Sequence, residues 1–302
     1  MLKVTADIFS GRQNPSWILD ENQAKDIIKQ IANNRGVVAD SNSGFQGLGF
    51  RGMALEFLSD ELHSQYNLPA NFTIANGASM LESKGLEIAE QLISTMSSGM
   101  RVNSFMEPVA DMEGENLQQL LLEQLDSLPR AESMTVTLGA EGMTAQMDQP
   151  TVSCAYEWSA FNPGFWNNDP TVQANNNCYN YATNRRTNTF AQPGRATGYY
   201  PYPMACPSVM NGALSDGAHK FGDCLPDSEN PRWLMALVVW PDVDYHWYRY
   251  HSNRFWGHKP GRTAARNTDN SGHVITNPQT ADRGGYIHFC GYMYAARSMR
   301  IR

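Results

Sequence analysis

Charge is scarce in this 302-residue chain, at 18% of residues. No apolar run reaches the roughly 18 residues that a membrane-spanning helix needs. The first ten residues alternate like a strand and are interrupted by Asp7, so they lack the apolar centre of a secretory signal peptide. These absences predict a soluble chain with no membrane span, either cytoplasmic or exported by a leaderless route. The formal net charge is -7 and there is no basic stripe, which argues against nucleic acid as a partner. No pair of cysteines has CxxC or any other metal-ligand spacing, so neither a metal nor another cofactor is expected. Internal repeats and low-complexity tracts are also missing.

What is present is unevenly spread. All five cysteines (Cys154, Cys178, Cys206, Cys224, Cys290) lie in the second half, and after position 155 lie all but one of the tyrosines and all but one of the tryptophans. This asymmetry predicts two domains, 1–150 and 151–302, and 41% hydrophobic residues suffice for packed cores. An odd number of cysteines leaves two arrangements open. In an oxidising compartment, two disulfides would leave Cys178 free; in the cytosol all five thiols would stay reduced.

The first half reads as an α+β domain with a binding, adaptor or assembly role. Residues 2–9 alternate at period two and predict a strand. The stretch 11–15 (Gly-Arg-Gln-Asn-Pro) is turn chemistry. Asp20 is placed to cap a helix whose Ala24, Ile27, Ile28 and Ile31 share a face. Short strands are predicted at 53–57 and 72–75, helices at 81–96 and 115–127, and a hairpin at 133–147.

Chemistry concentrates further on. In Asn175-Asn-Asn-Cys-Tyr-Asn-Tyr-Ala, the asparagines suit a helix N-cap and leave Cys178 in the first turn, where backbone N–H groups favour a thiolate. A side-chain amide from Gln173, Asn175 or Asn176 could complete an oxyanion hole there. The apolar run from Leu234 to Trp240 predicts a strand buried on both faces, followed by a turn and a strand led by His246. A third strand at 255–261 carries His258. In a catalytic reading Cys178 is the nucleophile, His246 the base and His258 the group that fixes its tautomer, with Asp244 and Asn277 as alternative third residues. In the plain reading Cys178 is a buried small hydrophobe and the histidines are hydrogen-bonded strand residues; His251 reads as an exposed one. Residues 267–272 (Asn-Thr-Asp-Asn-Ser-Gly) are read as a hairpin turn rather than a calcium loop, because Pro278 stands where the bidentate glutamate belongs.

Cys-Tyr-Asn-Tyr-Ala-Thr-Asn-Arg-Arg, at 178–186, resembles the helix start of CHAP domains, members of the papain-like group that includes NlpC/P60 hydrolases. That resemblance covers about 170–262 and implies a papain-like second domain, a helix packed on an antiparallel sheet. It implies thiol-dependent hydrolysis of amide or peptide bonds in a peptide, peptidoglycan or protein substrate. The chain departs from the CHAP pattern where His246 follows Asp-Tyr rather than glycine. A second resemblance rests on Asp244-Tyr-His-Trp-Tyr-Arg, Trp256-Gly-His-Lys-Pro-Gly and Ala281-Asp-Arg-Gly-Gly-Tyr. These are similar to a module shared by bacterial proteins and an insoluble shell-matrix protein of molluscs. It implies no established reaction and allows the competing function, a non-catalytic structural or matrix-associated protein whose aromatic and Asn-rich surface would serve carbohydrate binding, mineral binding or self-association.

Overall fold

The computed structural model describes residues 1–40, 43–76, 83–96, 114–128 and 154–302. The predicted hairpin at 133–147 lies outside the described residues. The fold is α+β, with helices set around two antiparallel sheets.

The first sheet has the order β2-β1-β3-β4, with β1 Leu2–Ala6, β2 Ser16–Leu19, β3 Met53–Phe57 and β4 Asn71–Ile74. Alternation aims Leu2, Val4 and Ala6 inward, and the register sets Leu2 opposite Leu19 on one side and Phe57 on the other. Helix α1 (Glu21–Asn33) starts at Asp20, whose carboxylate accepts from Asn22 and Gln23 N–H while Gln23 reaches back to the cap backbone. Its Ala24, Ile27, Ile28 and Ile31 are buried. Further on come α2 (Asp60–Tyr66), α3 (Ser83–Ser94) and α4 (Gly114–Asp126), and the last two set Ile88, Leu92, Leu117 and Leu121 into the same core.

The strand expected over 2–9 stops at Ala6. Beyond it the N–H groups of Ile8 and Phe9 turn to the Asn14 side chain, at 2.9 and 2.7 Å, so a side chain replaces the strand partner. Residues 7–15 therefore leave the sheet as a loop. Arg51, itself buried, braces that loop through Asp7 and the Phe9 carbonyl, both at 2.6 Å.

Short helices α5 (Gly164–Asn167), α6 (Pro170–Asn175) and α7 (Cys178–Ala182) follow, then α8 (Cys206–Ser215). The second sheet has the order β5-β9-β6-β7-β8: β5 Ala218–Lys220, β6 Trp233–Trp240, β7 Asp244–Tyr250, β8 Trp256–His258 and β9 His288–Ala295. Strand β6 is its centre, and Met235 to Val239 have no exposed surface, as an apolar run buried on both faces requires. Between β6 and β9 the register shifts at Leu237/Val238, which leaves Cys290 as the extra residue beside Gly291, at φ +114°. The bulge lies where Cys290 bonds to Cys206 at the start of α8, and a second disulfide joins Cys154 to Cys224. Cys178 is the free thiol among the described residues, as the oxidised arrangement expects. None of the described helices is long and apolar enough to cross a membrane.

Candidate functional site

Helix α7 begins where the asparagines predict. Asn177 caps it, accepting from Tyr179 and Asn180 N–H at 3.1 Å each, and Asn180 returns a bond to the Asn177 N–H at 3.1 Å. Cys178 is thereby held in the first turn, against β7. Its thiol has no exposed surface and faces the Tyr245 carbonyl at 4.0 Å. Burial and then the nearby Asp244 charge raise the thiol pKa well above its ordinary value. The Trp247 backbone, the Ser10 hydroxyl and Lys259 oppose that shift and are outweighed. The sulfur is a thiol and not a thiolate.

His246 and His258 are brought together, as their places on adjacent strands predict. Nε2 of His246 lies 2.8 Å from Nδ1 of His258, and Nε2 of His258 lies 2.9 Å from the Thr268 carbonyl. The remaining nitrogen, Nδ1 of His246, bonds to the Ser10 hydroxyl. One acceptor orders this whole chain. The Thr268 carbonyl can only accept, so His258 carries its proton on Nε2 and, being neutral, accepts at Nδ1. His246 must then donate from Nε2 and accept at Nδ1, where the hydroxyl of Ser10 supplies the proton. The basic nitrogen of His246 is thus spent on a serine from the first sheet's loop, and not on the thiol.

That loop is the part of the site the sequence did not announce. Asp244, without exposed surface, accepts from the N–H groups of Ser10, Gly11 and Arg12 at 2.6, 3.1 and 2.9 Å, and from the Tyr286 hydroxyl at 2.6 Å. Burial pushes the Asp244 carboxyl up, and the donors pull it back. The carbonyl of Gly11 accepts from the Asn177 and Gln192 side-chain amides at 2.8 Å each, with the Tyr245 hydroxyl at 3.2 Å. A Cβ on Gly11 would sit 2.5 Å from the Tyr245 ring, which leaves room only for glycine. Arg12 follows with its guanidinium on the Val243 carbonyl at 2.8 Å.

The other sequence-derived candidates sit elsewhere. Asn175 and Asn176 spend their amides on the Thr171 and Val172 carbonyls, one turn back. The carbonyls of Gln173 and Asn176 receive the ammonium of Lys259, at 2.5 Å each, which closes the end of α6. The amides that do converge, those of Asn177 and Gln192, meet on the Gly11 carbonyl. Asp244 binds the loop and not a histidine ring, and Asn277 accepts from the Gln279 N–H at 2.9 Å in a turn of its own. His251, expected to be exposed, is fully buried between Tyr181 and Ser159, at 2.7 and 2.9 Å. In the 267–272 turn the Asp269 carboxylate accepts from the Ser271, His273 and Asp282 N–H groups, so it serves the loop itself.

The buried histidines make stability depend on acid. Burial lowers His251 and His258 to about 3 and His246 well below its ordinary 6.5. The unfolded chain protonates all three near pH 6.5, so below that value it binds more protons and stability falls as pH drops toward 3. Burial raises Asp216 to about 6, and Asp244 is also raised, so these two return part of the loss in acid. From pH 7 to pH 5 the expected cost is about 2 kcal/mol per histidine before that offset. A urea midpoint that does not fall between these pH values would contradict the neutral relay.

No family model matches this chain, and no solved structure does; the resemblance to CHAP and NlpC/P60 hydrolases finds no support there. A relative is found in Ruditapes philippinarum, named insoluble matrix shell protein 1, at 50% identity over 141 residues. The match takes in 47% of this chain and 93% of the relative. Nearly the whole of that shell protein is thus accounted for, at a level of identity that preserves fold, and this chain belongs to its family.

Proposed function

We propose that this chain is a non-catalytic structural protein of an extracellular, matrix-associated kind, which carries a thiol beside a histidine pair and does not use it. The observation that carries this reading is the sealed thiol. Cys178 has no exposed surface, keeps its proton, and has its would-be base engaged by Ser10. A nucleophile needs the opposite, an exposed sulfur in surroundings that stabilise its anion. Two disulfides favour an oxidising compartment over the cytoplasmic alternative, and the relative's name supports a place in a matrix. The surface for self-association or carbohydrate would be a run of rings over the second sheet. Trp158, 49% exposed, stacks on Tyr156 at 6.5 Å, and the run continues through Tyr250 and, across the buried Trp256, to the half-buried Tyr292 and Phe289.

A second reading, thiol-dependent hydrolysis of a peptide or peptidoglycan amide on a papain-like scaffold, is favoured by one arrangement. A cysteine opens a helix packed on an antiparallel sheet, with two hydrogen-bonded histidines on adjacent strands close by. The two readings part on alkylation. Iodoacetamide should label native Cys178 only through opening of the structure, far more slowly than the unfolded chain, and no more slowly in His246→Ala. Rapid labelling near pH ~6 that disappears in His246→Ala would overturn the structural reading and restore the ion pair.

A further inference from the structure

We infer that the cleft formed by Asn177, Gln192, Asp244, Tyr245 and His246 is a peptide-binding site for a Ser-Gly-Arg segment, and that this chain fills it with its own residues 10–12. The inference stands apart from the matrix reading, since it concerns what the cleft recognises and not where the protein works.

The contacts are those of ligand recognition. Asp244 takes three successive backbone N–H groups, and two side-chain amides take the carbonyl between them. Backbone contacts of this kind hold a segment without reading its sequence, as in other peptide-binding clefts. Sequence is read at three points. The serine hydroxyl meets Nδ1 of His246, the absent Cβ of Gly11 makes room for the Tyr245 ring, and the arginine guanidinium meets the Val243 carbonyl. The segment and the cleft are also separable in the chain. Ser10 and Asp244 lie 234 residues apart, whereas the shared stretch with the shell protein is 141 residues, 47% of this chain. That stretch cannot contain both, so the likeness to the shell protein does not depend on the loop and Asp244 occurring together. Where the cleft occurs without its own loop, it is left open or is filled by a segment from another source.

The test uses the full chain and a fluorescein-labelled peptide, Phe-Ser-Gly-Arg-Gln-Asn. Gly11→Val should evict the loop, because any side chain there strikes Tyr245, and trypsin cleavage after Arg12 reports the eviction. The evicted chain should bind the peptide at least about tenfold more tightly than the unaltered chain, whose cleft is already filled. Binding should be lost when alanine replaces glycine in the peptide, and lost again in Gly11→Val with Asp244→Asn. Should Gly11→Val fail to fold, the paired change Ser10→Ala and Arg12→Ala loosens the loop without a clash and takes the same two peptides. A folded variant with an accessible loop that binds neither peptide, or both alike, overturns the proposal.

Discussion

Asp244→Ala is expected to lower the stability of the chain by on the order of 5 kcal/mol, close to what a whole domain can lose. The carboxylate satisfies four donors, the N–H groups of Ser10, Gly11 and Arg12 and the hydroxyl of Tyr286, in a place with no exposed surface. Each buried donor left without a partner costs roughly 1–3 kcal/mol, and neighbours in one network do not add in full. Asp244→Asn should cost less than alanine, since the amide keeps one accepting oxygen while its NH₂ faces a donor. The measurement is chemical denaturation of the three chains at neutral pH. If alanine and wild type differ by less than about 1 kcal/mol, the loop is not held by this carboxylate, and water serves it equally well.

Reduction of the disulfides is the second large effect. Cys154–Cys224 closes a separation of 70 residues and Cys206–Cys290 one of 84. On the chain-entropy account each constrains the unfolded state by about 4 kcal/mol, with enthalpic terms able to reduce that figure. Both bridges lie beyond residue 153, in the part that carries the second sheet, and one ties α8 to β9, whereas the core on the first sheet has none. Reduction should therefore move the transition of the second sheet more than that of the first. Tryptophan fluorescence can follow the second sheet, since six of the seven tryptophans follow residue 155 and Trp17 alone precedes it. Serine at both members of each pair should reproduce the effect of reductant one bridge at a time. A fluorescence transition that reductant leaves in place would mean that these cross-links contribute little to the native state.

These two predictions rest on features that differ in how visible they are in the sequence. The pairing of cysteines was narrowed by number alone: five thiols in an oxidising compartment leave one over, and Cys178 is it. Which cysteine meets which was decided by the sheet. Cys290 lies in a bulge of β9, and the bulge depends on Gly291 adopting a backbone that other residues rarely take. Strand β9 itself, with its Phe-Cys-Gly-Tyr-Met-Tyr run, has partners about 50 to 80 residues away in sequence and no hairpin turn to announce it. Strand β2 is four residues long, too short for alternation to stand out beside the turn before it.

Local chemistry was legible wherever cause and effect are a few residues apart. Asp20 with Gln23 wrote the start of α1, Asn177 with Asn180 wrote the start of α7, and unbroken apolarity from Leu234 marked the central strand. Adjacent strands likewise foretold that His246 and His258 would meet. The direction of their protons did not follow from the strands, because it is set by the Thr268 carbonyl and by a serine from the far end of the chain. Gln173, Asn175 and Asn176 looked like oxyanion-hole donors because they stand near Cys178 in sequence, yet the side-chain amides of Asn175 and Asn176 donate to carbonyls one helix turn back.

By itself, then, the sequence determined the starts of α1 and α7, the apolar centre of the second sheet, the α+β class and that one thiol would be left over if two disulfides formed. Each follows from local backbone satisfaction, side-chain period or simple counting. Only the tertiary structure decided that the thiol is sealed, that Asp244 holds a loop, and that Ser10 takes the basic nitrogen of His246. The contacts behind those outcomes span 67, 234 and 236 residues, and no spacing, period or cap records a partner at such distances.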